Sequence, residues 1–230
     1  LTHLLFISSD MAPEPVQSRL ATCYASVSLR DCSSALDSYY ESVLDCLRRH
    51  KSESPETLVT LVEAGLWLKK RPAQECDSIS PSPRGRGSGG GGFEEGTLRE
   101  SAPVLLATDI LGLMLQPFCR TQNTEGRVQF TDAAQLFAPQ RLEAAERVLN
   151  ESGVVAERGV VAAVAAPELL TAAEQRVLIE MGAKSAVTHL YLEARAARAA
   201  ALPALGLVLP SNERLGEEWI EILCRLAGAA

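Results

Sequence analysis

From Val104 onward the chain alternates between short apolar runs and amphipathic helical patterns, and this alternation restricts the fold more than any other feature. Val104–Ala107 reads as a short buried strand. From Asp132, apolar residues at Ala134, Leu136, Phe137, Leu142, Ala145, Val148 and Leu149 predict a long helix, kinked or divided at Pro139 and ended by Gly153. Gly159–Ala165 is apolar enough for a core strand. Thr171 and Glu174 then form the sequence pattern of a capping box, predicting a helix over Thr171–Met181 that Gly182 closes. Ser185–Leu190 and Leu205–Leu209 are further strand candidates, each followed by a helical pattern, at Glu193–Ala201 and Glu217–Ala227. In the last of these, Trp219, Ile220, Leu223 and Leu226 share one face. The expectation is an α/β fold: a mainly parallel or mixed central sheet flanked by helices.

The first half is less regular. Residues 1–34 show no sustained periodicity and are expected as an extended or partly disordered lead-in, with the folded domain spanning 35–230. Tyr39, Tyr40, Val43, Leu44 and Leu47 predict a helix over Ser38–Arg49, broken at Ser54-Pro55. Thr57–Val62 reads as a strand and Gly65 as a turn residue. Residues 77–97 are rich in Gly and Ser, including the run Gly89–Gly92, and predict a mobile loop interrupting the domain. No Gly-Lys-Ser/Thr follows the glycines, so they do not make a nucleotide loop. Arg120–Gly126 is expected as a surface connection.

Charge and cysteine placement exclude several functions. A formal net charge of −7 over 230 residues, with only short basic clusters, gives no cationic face for nucleic acid. The Leu4–Ile7 segment is too brief to cross a bilayer, and no transmembrane segment is expected. The cysteines at 23, 32, 46, 76, 119 and 224 lack metal-knuckle spacing, so neither a metal nor another cofactor is expected. They read as reduced thiols of an intracellular protein. The Ser- and Arg-sprinkled composition after Met11 would suit a mitochondrial transit segment, although Glu14 and Asp31 stand against it; the alternative is the cytoplasm.

From Thr131 onward, several segments in one collinear order resemble the purine nucleoside phosphorylases. The carriers are Thr131-Asp-Ala133, Arg158 to Pro167, Thr171-Ala-Ala-Glu174 with Met181-Gly-Ala183, Glu193 with Ala197-Arg198, and Leu207 to Asn212. The resemblance implies a phosphorylase-like fold. It also implies a chemistry in which phosphate attacks a ribosyl carbon, which needs an anion pocket and polar groups aimed at the base. Those groups are largely missing. The base-reading carboxylate falls on Leu170, which cannot accept a hydrogen bond. The phosphate-holding Gly-Met-Ser falls on Val187-Thr188-His189, where His189 could donate to an anion but, beside Leu190, reads as a packed or surface residue. The Gly-rich phosphate loop falls on Glu63 to Trp67, putting a negative charge where an anion would sit. A second glycine-rich turn falls on Ala107 to Gly112, bringing Asp109 near the same place. No histidine lies between His50 and His189, so the family's remaining phosphate segments are absent. Asn212 alone matches a base-contacting residue.

The resemblance therefore implies a pseudoenzyme with no catalytic residues, whose vestigial base-pocket positions are Asn212, Leu170, Thr188 and His189. Such a protein would act as a structural or interaction subunit. Its partners would be further copies of itself, an active paralogue or a larger complex, since the family's enzymes are oligomers. The alternative is a phosphorylase or nucleoside-binding protein with an altered purine pocket.

Overall fold

The computed structural model describes residues 3–7, 25–26, 36–69, 103–113, 120–122, 128–130, 133–210 and 216–228. The 77–97 loop, most of the lead-in and Asn212 lie outside these residues.

Residues His3–Ile7, assigned to the lead-in by the sequence reading, form strand β1, and Ala25–Ser26 pairs with it as β2. Helix α1 (Leu36–Glu53) follows, with Tyr39, Tyr40, Val43, Leu44 and Leu47 all buried, as the three-and-four spacing predicts. Strand β3 (Leu58–Trp67) is longer than expected, and Gly65 lies within it rather than in a turn. Strand β4 (Val104–Gly112) also outruns its predicted span. Arg120–Gln122 and Val128–Phe130 are strands β5 and β6 of a separate antiparallel pair, so Arg120–Gly126 is not wholly a surface connection.

Helix α2 (Pro139–Glu151) begins where the sequence suggested a kink. Pro139 suits the first helical turn because its missing N–H has no intrahelical partner there anyway. The residues before it are turned, with Gln135 at φ 55°, so the helix does not start at Asp132. Gly153 stops it at φ 73°, a conformation only glycine adopts cheaply. Strand β7 (Ala156–Ala163) leads into a 3₁₀ turn at Pro167–Leu169 and helix α3 (Ala172–Glu180). There Thr171 Oγ1 accepts from the Glu174 N–H at 3.3 Å while the Thr171 N–H donates to Glu174 Oε2 at 2.7 Å. Thr171→Ala removes one side of this box, and we expect a loss of about 1 kcal/mol in urea unfolding. Strand β8 (Ala183–Val187), helix α4 (Tyr191–Ala199), strand β9 (Ala204–Pro210) and helix α5 (Glu217–Gly228) complete the order.

The main sheet is mixed, with the order β2-β1-β3-β8-β7-β4-β9 and a further pairing of β3 with β9. That pairing closes β3, β8, β7, β4 and β9 into a barrel, whereas the sequence led to the expectation of a mainly parallel or mixed central sheet flanked by helices, with no closure foreseen. β3 runs parallel to β9 along Val59–Gly65, and on its other edge pairs first with β1 and then, at Leu66–Trp67, antiparallel with β8. Closure needs strong curvature, and register shifts at Ala107/Asp109 and at Val160/Val161 supply it. Because β4 lies between β7 and β9, Val161 and Leu207 are not on neighbouring strands, although both are fully buried.

Two apolar clusters divide the strand faces. The larger takes Val161, Ala163 and Val187 together with the buried faces of α1, α2, α4 and α5. The smaller takes Ala162, Ala183 and Ala186 with Leu178 of α3 and Leu68. Val161 and Ala163 of β7 thus serve the opposite core from Ala162, as the two-residue period of a strand requires, while in β8 the register shift lets Ala183 and Ala186, three positions apart, share a core. Arg141 of α2 is buried and donates from Nη1 to the Val59 carbonyl at 2.9 Å, tying that helix to the start of β3.

Candidate functional site

Glu63 stands in the apolar run of β3 and is 5% exposed. Its carboxyl meets the turn between β8 and α4: Oε1 accepts the Thr188 N–H at 2.8 Å and the His189 N–H at 2.9 Å, and Oε2 lies 3.0 Å from the same His189 nitrogen. Consecutive backbone N–H groups aimed at one point form an anion cradle, and here the chain's own side chain fills it. The turn ends at Leu190, whose φ of 70° and ψ of −38° place a bulky side chain in a sparsely populated region. That conformation costs on the order of 1–3 kcal/mol and persists only where the surroundings hold it.

A second carboxylate faces the first. Glu193, in the first turn of α4, is 2% exposed. Its Oε1 accepts the Tyr39 hydroxyl from α1 in a short hydrogen bond and lies 3.7 Å from His189 Nδ1. Its Oε2 has no protein partner among the described residues. Glu63, His189 and Glu193, with Phe6, Leu61, Val62 and Leu190, line a cavity of about 10 Å³, room for a single water. Burial pushes the Glu63 carboxyl up from the ordinary 4.5 to about 8. The His189 N–H opposes that rise, the Glu193 charge adds to it, and the Thr188 N–H opposes it again.

The predicted site residues are only partly brought together. Thr188 and His189 meet Glu63 through their backbone; the His189 ring is 44% exposed, 6.4 Å from the ring of Tyr39. Leu170 is elsewhere, half-buried against the smaller cluster. Leu169 beside it is 76% exposed, and Val187 belongs to the larger core. Asp109, expected near the anion, is exposed and its Oδ1 accepts the adjacent Ile110 N–H at 2.8 Å. Above Gly112 sits the Tyr191 ring, which Arg195 approaches at 5.5 Å from its centroid. Among the described residues, no cluster of histidine, cysteine or carboxylate side chains could hold a metal ion. Cys46 and Cys224 are both partly buried. No described helix is long and apolar enough to cross a membrane.

Sequence reasoning missed Tyr39 and Glu193 because each stood on a helix with no sign of its target. The legible signal was Glu63 itself. A carboxylate inside an apolar strand needs a partner, and the partner had to come from another element. An open cleft of about 270 Å³, lined by Gln135, Phe137, Pro139, Arg198, Leu202 and Pro203 among others, shares no residue with the carboxyl site. No family model matches the chain, and no curated protein matches it either.

Proposed function

We propose that this protein is a non-catalytic, phosphorylase-like subunit that works by contact with other proteins. The support for a non-catalytic role is the Glu63 carboxyl, which takes the Thr188 and His189 N–H groups for itself. In the phosphorylase resemblance those residues fall on the phosphate-holding segment. A phosphate entering there would displace a buried side chain and face the Glu193 carboxylate, and the like charges oppose it. Without the anion, phosphorolysis loses the electrostatic stabilisation its transition state depends on. The contact role draws on exposed apolar side chains beside and along α3: Leu169 at 76%, Val177 at 58% and Met181 at 47%.

Two measurements test this reading. With purified full chain, inosine, guanosine and adenosine should show no phosphate-dependent cleavage above a buffer control, and titration with inorganic phosphate should give no binding heat. Turnover that disappears in Asn212→Ala protein would overturn the non-catalytic half. For the contact half, charging the exposed stripe with Val177→Glu and Met181→Glu should abolish co-purification of native partners while leaving the melting temperature unchanged. Partners retained in full by that variant would remove α3 as the contact surface.

A further inference from the structure

We infer that Glu63 and Glu193 form a proton-operated latch on the turn between β8 and α4, holding it closed while Glu63 carries a proton and releasing it when both carboxyls are charged. Three geometric features converge there. Glu63 binds two consecutive N–H groups of the turn, and Glu193 places a second carboxylate across a cavity no larger than a water molecule. Glu193 lines that cavity, and its Oε2, buried and unpartnered among the described protein atoms, is available to accept a proton donated directly or through one water. The turn itself ends in the unfavourable positive-φ conformation of Leu190, so it has a lower-energy backbone to relax into once its hold is lost.

The groups around Glu63 make the proton decisive. β1 contributes Phe6, β3 contributes Leu61 and Val62, and β9 sets Val208 in register beside it. α4 contributes Glu193, the turn contributes His189, and Tyr39 of α1 reaches the site through its bond to Glu193. Among the described residues, no lysine or arginine lines the cavity. Two charges of one sign in so small and apolar a space repel, offset only in part by the Thr188 and His189 N–H groups on Glu63 and the Tyr39 hydroxyl on Glu193.

The direction follows from linkage. In the closed state burial raises the Glu63 carboxyl to about 8, while in an opened, wetted turn it returns towards 4.5. The closed state therefore holds the proton more tightly, and rising pH favours opening between those two values. Above the upper one both states are ionised and the effect stops. The opening constant should rise by about tenfold per pH unit within the window.

Amide hydrogen exchange of the full chain, with rates normalised for intrinsic pH dependence, reads this directly. Protection at Thr188, His189 and Leu190 should fall across pH 5–8, a range set by the ordinary and raised values of Glu63, while β4 and β7 amides hold theirs. Glu63→Gln, which resembles the protonated side chain, should keep the turn protected throughout. His189→Gln should retain the parental slope, because it leaves both carboxyls and the turn's N–H groups in place. Protection independent of pH in the parent, or a slope kept in Glu63→Gln and lost in His189→Gln, overturns the proposal. If Glu63→Gln does not fold, Glu193→Gln serves instead. Removing the facing charge should move the upper end of the window to lower pH, and an unmoved window counts against the latch.

Discussion

Leu207→Asp should give protein with no cooperative thermal transition. Leu207 is completely buried in β9, in register with Val62 on one side and Leu106 on the other. A carboxylate there would sit among apolar side chains at the seam of the closed barrel, with no donor in its register partners. Replacing leucine by alanine alone removes about 2–5 kcal/mol in a buried site. Adding an unpaired carboxyl costs more, and the total approaches the whole stability of a typical domain, roughly 5–15 kcal/mol. Circular dichroism melting checks it, with Leu207→Ala as the milder companion that should still fold. A sharp transition for Leu207→Asp near the parental temperature would mean that β9 is not a core strand.

Gly65→Val should be the next most damaging change, at about 3 kcal/mol or more by urea unfolding. A Cβ at Gly65 would lie 2.3 Å from Val208 Cγ1 and 2.4 Å from Ser185 Oγ, on two different strands. β3 passes from pairing with β1 to pairing with β8 just beyond this residue, so the contact falls where the barrel closes. Neither neighbour is the far end of a flexible chain, and Ser185 Oγ is already committed to the Leu66 carbonyl at 3.1 Å. Gly216→Ala is the control: nothing lies within 4 Å of a Cβ there, and its stability should stay within about 0.5 kcal/mol of the parent. Equal stability of Gly65→Val and the control would show that the strands at the closure have room to separate.

Local signals in the sequence located most elements. The helix of Tyr39 to Leu47, the capping box of Thr171 and Glu174 and the stops at Gly153 and Gly182 all depend on residues within a few positions of one another. Periodicity, caps and glycine conformations therefore reveal them. The same local reasoning misplaced Pro139, because proline fits a helix start as well as it breaks a helix interior, and only the backbone distinguishes the two. It also shortened β3 and β4. Their later halves carry Glu63, Gly65, Thr108 and Asp109, residues that read as breaks when their pairing strands are not in view.

The candidate site was the least legible part. Glu63 followed directly on the apolar run Thr57–Val62, and its negative charge already argued against a bound anion. That its carboxyl would take the Thr188 N–H, 125 positions away, was not encoded in any spacing. Nor was the bond of Tyr39 to Glu193 across 154 positions. Leu170, onto which the resemblance set the base-reading carboxylate, belongs to a different apolar cluster from Glu63's surroundings.

By itself, then, the sequence determined the α/β character, the order of the helices and strands from Val104 onward apart from β5 and β6, and the apolar faces of α1, α2 and α5. Those properties follow from side-chain periodicity and backbone preference, which act over one or two turns of chain. Only the tertiary structure decided that β3 meets both β8 and β9 to close a barrel, that Gly65 serves close approach rather than a turn, and that two buried carboxyls face each other above α4. Strand pairing is selected by the fit of whole faces brought together over long separations, and a buried charge is tolerated only by the donors that this pairing delivers.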